Sequence, residues 1–255
     1  MTRLLVALLL LVEGPLVLAQ GALPESADAR QIVDWAVERA GGEAWLHATS
    51  NRMEGWAVLC RQGRAGQCVR ADRYVMHRQY PRDVTAAHSG TGKFRLDAEA
   101  GDRVLFRASF DGTRSYDAKG PLPPQDARNA EANAFGFSAI RFTNAAGFTL
   151  ERLVDDEVEG HPCFTLRVVD AAGSATVFWI DSESAYIRKA AWDTPKGWHE
   201  RVYSDFYWVA NPGFLQPGRV RLYYAGAKEV DIHWTSATLN ETFDDALFML
   251  GEVDD

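Results

Sequence analysis

Three cysteines and six histidines are the residues of this 255-residue chain best suited to chemistry. Cys60 and Cys68 flank a glycine-containing loop, Arg61 to Gln67. In an oxidising compartment that spacing favours a disulfide across two strands, and closing so small a loop stabilises by roughly 2–3 kcal/mol. A metal site is the rival reading, but no second Cys/His pair stands nearby to complete it. Cys163 is left over on a predicted strand and reads as a buried free thiol. A nucleophilic Cys163 needs a histidine and an acid beside it. His161 shares its side only if the strand runs regularly through Pro162. The six histidines, His47, His77, His88, His161, His199 and His233, form no His-Glu-x-x-His pattern, and no serine sits in a nucleophile elbow. His199 and Glu200 are adjacent on a predicted strand, so they face opposite ways and read as a structural pair. The stretch Ser89-Gly90-Thr91-Gly92-Lys93 lacks the first glycine, the following Ser/Thr and the helix of a phosphate loop. The chemistry-bearing residues thus predict no enzyme: no catalytic residue, no cofactor and no metal.

The elements around them are mostly strands. From Thr149 to Phe248 apolar and wetter residues alternate with a period of two, as a half-buried antiparallel sheet requires. Phe164, Leu166 and Val168 alternate with Cys163, Thr165, Arg167 and Val169. Val220, Leu222 and Tyr224 alternate with Arg219, Arg221 and Tyr223. Val230, Ile232 and Trp234 alternate with Glu229, Asp231, His233 and Thr235. Pairing apolar with apolar predicts a three-residue loop, Gly226 to Lys228, with Leu222 opposite Ile232. The Ala171-Ala172-Gly173-Ser174 turn is expected to set Val168 opposite Val177 and Leu166 opposite Trp179. Strands are also expected for Tyr186 to Asp193 and Trp198 to Trp208, with Val202, Phe206 and Trp208 on one face. Upstream, Met53 to Tyr80 reads as a long hairpin. Lys93 to Ala98, Arg103 to Phe110 and Arg114 to Asp117 add further strands.

Two helices are predicted. Ser26 to Ala40 has Ser26 or Asp28 to cap it and Gly41-Gly42 to end it. Gln125 to Ile140 follows a proline-rich linker and ends in aromatics. That second helix reads either as ordinary core or as a lid, with Phe135, Phe137 and Ile140 at its covering end.

The N-terminus reads as an export signal. Arg3 supplies the positive start, Leu4 to Val12 a short apolar run, and Val17-Leu18-Ala19 the small residues before a cut near Gln20. The apolar run is too short for a membrane anchor. The organisation expected is a signal peptide over 1–19 and one domain over 20–255, exported and, in a Gram-negative source, periplasmic. Cleavage removes Arg3 and Glu13, so the net charge stays at −8. An acidic chain without a Lys/Arg run does not predict nucleic-acid binding. Eight tryptophans suit a core, and also a surface that meets apolar ligands.

Short motifs then fall in a recognisable order: Ala40-Gly41-Gly42, Gly55, Phe110-Asp111-Gly112 and Val158-Glu159-Gly160-His161-Pro162. After these come Trp179-Ile180-Asp181, Tyr203-Ser204-Asp205-Phe206, and finally Asn240, Asp244, Asp245 and Phe248. Over nearly all of the mature chain this resembles the LolA/LolB-like outer-membrane lipoprotein-sorting family. The resemblance implies an α+β, mainly antiparallel fold: a strongly bent, incomplete β-barrel with helices covering its open side. It also implies an apolar hollow that holds an acyl chain of a lipid or lipoprotein, without catalysis and with transient membrane contact. The alternative on the same fold is a periplasmic protein-interaction or envelope-stress sensor module, with an envelope protein as partner.

Candidate lining residues follow from the alternation. They are Leu166 and Val168, Val177 and Trp179, Val202, Phe206 and Trp208, Leu222 and Tyr224, and Ile232 and Trp234. Alternation alone does not say which face is concave. Burial stabilises by about 0.8 kcal/mol per CH₂, on the order of 12 kcal/mol for a 16-carbon chain. A carrier that must release such a chain is therefore expected to hold it in a half-open barrel under a movable cover.

Overall fold

In the computed structural model the described residues are 23–81, 92–123 and 136–251. The predicted signal peptide, Phe135 and most of the predicted 125–140 helix lie outside them. The alternating segments form strands β1 (Ser50–Cys60), β2 (Cys68–Gln79), β3 (Lys93–Ala100), β4 (Arg103–Phe110), β5 (Ser115–Asp117) and β6 (Gly120–Pro121). After a 3₁₀ stretch, Gly136–Phe142, come β7 (Thr149–Arg152), β8 (Asp156–Val158), β9 (His161–Val169), β10 (Ala175–Asp181) and β11 (Ile187–Thr194). The last three are β12 (Gly197–Val209), β13 (Phe214–Tyr224) and β14 (Ala227–Leu239).

Among the described residues these make one antiparallel sheet in the order β6-β5-β4-β3-β2-β1-β14-β13-β12-β11-β10-β9-β7, with β8 paired to β9. β6 and β7 are its two edges and do not pair, so the barrel is left open, as expected from the sequence.

Irregular pairing bends the sheet. Around Gly55 the register of β1 shifts against both β14 and β2, leaving Thr235 as an extra residue on β14. Such bulges bend the strand and raise its twist. Only glycine fits at position 55, because a Cβ there would stand 1.9 Å from the His233 carbonyl oxygen. On β12, Asp205 adopts a left-handed conformation (φ 55) opposite Gly218, whose Cβ would stand 2.4 Å from the Asp205 carbonyl oxygen.

Helix α1 (Ala29–Ala40) lies on the concave face. Asp28 caps it: its carboxylate accepts the Gln31 N–H at 2.9 Å while the Gln31 side chain accepts the Asp28 N–H at 2.9 Å. Ile32, Val33, Trp35, Ala36 and Ala40 are buried. Gly41 lets the helix end close onto β13, since a Cβ there would meet the Gly213 carbonyl oxygen at 2.7 Å. A short helix α2 (Glu43–Leu46) follows and buries Trp45. The 3₁₀ stretch packs against β9, β10 and β11, and its Ala139 and Ile140 are fully buried. Arg30 ties it to α1 by donating to the Thr143 hydroxyl and carbonyl at 3.0 and 2.7 Å.

Three expectations of register and face are corrected. The β9–β10 loop spans Asp170 to Ser174, one residue longer than predicted, because the Asp170 carboxylate accepts the N–H groups of Ala172 and Ser174 at 3.0 and 2.8 Å. Phe178 therefore faces Leu166, while Val177 and Trp179 turn to the convex side; a one-residue slip inverts a whole strand. In the β13–β14 hairpin the loop is Ala225-Gly226, both with positive φ (47 and 79), the tight-turn geometry that matches strand twist. A bulge at Glu229 then pairs Leu222 with Val230 and Val220 with Ile232, so apolar still meets apolar two residues from the predicted register. Val202 and Phe206 do not share a face. The left-handed Asp205 lies between them, and Val202 packs on the convex side with Cys163 and Trp179.

Candidate functional site

The concave face carries one continuous core, and its two ends are treated differently. On β9, β10 and β11, the side chains of Leu166, Val168, Phe178, Ile180 and Trp192 are fully buried, with the 3₁₀ stretch packed against these strands. Beside them, against β1–β4 and β12–β14, the same face borders a cavity of about 700 Å³. That volume lies within the range of ligand-binding clefts. Its walls are largely apolar: Met53 and Leu59 from β1, Met76 from β2, Leu96 and Phe106 from β3 and β4, Leu222 and Tyr224 from β13, and Ile232 and Trp234 from β14. Phe137 reaches it from the 3₁₀ stretch, its ring 5.4 Å from Tyr203. Cys60 lines one end, bonded to Cys68 across the β1–β2 hairpin as the spacing favoured.

The predicted lining residues fall in four places. Phe206, Leu222, Tyr224, Ile232 and Trp234 border the cavity, as does Phe137 of the predicted lid. Leu166, Val168 and Ile140 are sealed in the filled part of the core. Val177, Trp179 and Val202 lie on the convex side beneath Val158, where the Trp179 indole donates to Asp156 at 3.1 Å. Trp208 is 56% exposed near the β12–β13 turn.

Polar groups enter this apolar wall from three elements. Arg78 follows Tyr74 and Met76 along the inner side of β2 and is buried, which takes its pKa down to about 10. Arg141 comes from the 3₁₀ stretch, with its guanidinium 4.3 Å from the ring centres of both Trp45 and Tyr80. Arg201 comes from β12 and is held by His199. The buried His199 donates from Nδ1 to the Tyr223 carbonyl at 3.0 Å and accepts the Arg201 Nε–H on Nε2 at 3.1 Å. Burial, and then the Arg201 charge, push the His199 pKa down to about 3, so the ring stays neutral and keeps its acceptor free for Arg201. Burial likewise raises the Tyr203 phenol to about 12.

Nucleophilic chemistry finds no support on the convex side. Cys163 donates its thiol to the His161 carbonyl at 3.2 Å, and burial pushes its pKa up to about 12, so it is not a thiolate at neutral pH. Glu200 points away from His199 toward Lys189, 3.5 Å away. Among the described residues no group of three His, Cys, Asp or Glu side chains is placed to hold a metal ion.

No family model matches the sequence, and no curated protein matches it. Solved structures do. A LolA superfamily protein of Nitrosomonas europaea aligns over 88% of this chain and 98% of its own, at 12% identity and a TM-score of 0.51. This chain has the LolA-like fold. A DUF1329 family protein of Desulfovibrio piger aligns over 88% of this chain and 98% of its own, at 11% identity and a TM-score of 0.50. Within the LolA-like fold of this chain, the quoted motif residues serve the frame. Gly55 permits the β1 bulge, and the Asp111 carboxylate accepts the Thr113 and Arg114 N–H groups at 2.7 Å each. Asn240 binds the Thr49 N–H at 2.8 Å, and Phe248 is fully buried.

Sequence reasoning missed Arg78, Arg141, Arg201, Leu96 and Phe106. The alternation Tyr74-Met76-Arg78-Tyr80 held the signal for Arg78, once the inner face of β2 was known. Arg141, between Ile140 and Phe142, carried no periodic mark.

Proposed function

We propose that this protein is a non-catalytic periplasmic carrier that holds an acyl chain of a lipid or lipoprotein in the half-barrel cavity. The observation that carries the reading is the apolar stretch of concave sheet that the described residues leave unfilled. Natural interiors are close-packed, and the neighbouring stretch is filled to that standard, yet a space of about 700 Å³ remains beside it. The LolA-like fold and the predicted export signal agree with that reading. Complete burial of a 16-carbon chain stabilises by on the order of 12 kcal/mol. A half-open groove that covers about half of the chain keeps on the order of 6 kcal/mol, which corresponds to a dissociation constant near 40 μM and permits release. Loading and unloading involve transient contact with a membrane or with an envelope protein partner.

Native mass spectrometry of the protein purified from the cell envelope tests this. A co-purifying lipid mass that organic extraction removes is the expected result. A single apo mass, with no uptake when the protein is incubated with lipid vesicles, sinks the carrier reading.

A further inference from the structure

The polar lining of the cavity is lopsided. The whole chain carries a net charge of −8, yet among the described residues the charges around its hollow are Arg61, Arg78, Arg141, Lys196 and Arg201 against a single carboxylate, Glu229. They are also sorted by depth. Arg61 and Lys196 are exposed, as are Gln67 and Val69, and all four come from the hairpin tips at the disulfide end. Arg78 and Arg141 are each only 7% exposed and share the opposite end with the equally buried Asn51, the cross-strand neighbour of Arg78.

Arg141 is the most telling of these. Its guanidinium lies between the Trp45 and Tyr80 rings, and among the described residues its Nε and Nη1 meet no hydrogen-bond acceptor. Aromatic faces offset part of the cost of burying a cation. The remainder calls for an anion with oxygen acceptors. Burial is the main cause that lowers the pKa of both deep arginines, and for Arg78 the charges of Arg201 and Arg141 add to it. Both remain charged at neutral pH. A second cavity, of about 250 Å³, shares Tyr80 and Arg141 with the first, so there is room on the far side of this wall as well.

We propose that the hollow takes a single-chain amphiphile with a small anionic head, a carboxylate or a phosphate monoester, whose oxygens meet Arg141 and Arg78 at the buried end. The tail lies along β1 and β2 toward the disulfide end. From Asn51 to Leu59 the strand runs on the order of 25 Å, against roughly 15 Å for the hydrocarbon of one membrane leaflet. One acyl chain therefore fits along it. This inference rests on the carrier reading and narrows its cargo.

Displacement of the neutral dye N-phenylnaphthylamine from the purified protein tests it, with hexadecanoate, hexadecyl phosphate and hexadecanol as competitors below their aggregation limits. The expected result is that at least one of the anions displaces the dye at about one-tenth the concentration of the alcohol. Which anion leads separates a fatty acid from a phosphorylated lipid. Arg141→Met should abolish the advantage of the anions over the alcohol. Should that variant not fold, the wild-type contrast decides alone, because an Arg141 already paired by the chain's own carboxylates shows no preference for anions. Equal displacement by all three overturns the anionic head and leaves the carrier reading standing. No dye binding, or no displacement by any of the three, overturns both.

Discussion

The two ends of the concave face are built from the same material and finished differently. On β9, β10 and β11 the inward residues Phe178 and Trp192 are fully buried, and the protein's own 3₁₀ stretch packs against these strands. On β4 and β13 the inward residues Phe106 and Leu222 are only half-buried and border empty space. Both sets follow the same period of two. The difference lies in what the chain lays over them, and it teaches that alternation encodes inwardness and says nothing of occupancy. His199 stands at the seam, with Trp192 against one edge of its ring at 4.8 Å and Tyr224 stacked on it at 4.4 Å.

Paired truncations probe the contrast most strongly. Phe178→Ala, in the filled part, should cost on the order of 3–5 kcal/mol in urea unfolding, because the surrounding side chains have no slack to collapse into the void. Equal costs for Phe178→Ala and a truncation in the open part would erase the distinction. Acid tests the seam. The folded-state pKa of His199, about 3, lies below its ordinary 6.5, so the unfolded chain takes up the proton first. Its contribution is complete above pH 6.5 and drains as the pH falls toward 3, on the order of 3 kcal/mol by pH 4. His199→Gln should flatten that part of the stability profile; an unchanged slope would remove His199 from the seam.

A smaller effect is expected where the open end is stapled. Cys60 and Cys68 close a loop of sequence separation 8. Replacing both by serine should cost roughly 2.5 kcal/mol on the chain-entropy model, read as a fall in the urea midpoint at constant slope. The smallest stability effect belongs to Leu222→Ala. It should cost only about 1 kcal/mol, since one side of the residue already faces space, yet it should weaken dye binding several-fold. A large loss of stability with unaltered binding would move Leu222 into the filled part.

Much of the frame was legible before the structure. Alternation located most of the long strands, Ser26 or Asp28 was expected to cap α1 and Asp28 does, and the Cys60–Cys68 spacing favoured the pairing found. The site was legible only in part, and the misplacements have physical causes. Val177 and Trp179 went to the wrong side because the Asp170 carboxylate holds one more residue in the turn than its glycine suggested. Val202 was grouped with Phe206 because a single left-handed residue, Asp205, leaves no trace in hydropathy. The arginines of the hollow were overlooked for a different reason: a charged residue at an inward position looks, in sequence, like an outward one.

The shifted register at Gly55 bears on how this protein tolerates changes of length. Thr235 is a supernumerary residue whose removal would pull β14 back into step with β1. Ala237 and Leu239 would stay buried, because without Thr235 the run from Trp234 through Ser236 to Leu239 alternates regularly with its present facing. A deletion there should straighten the strand and leave the interior in place, whereas a deletion of Thr238 would turn the buried Leu239 outward. An inserted residue at the exposed Ala225-Gly226 tip should pass almost unnoticed. Natural variants of this chain are accordingly expected to gain and lose residues at their hairpin tips and at the Thr235 bulge, and to keep the count between Ser236 and Asn240 fixed.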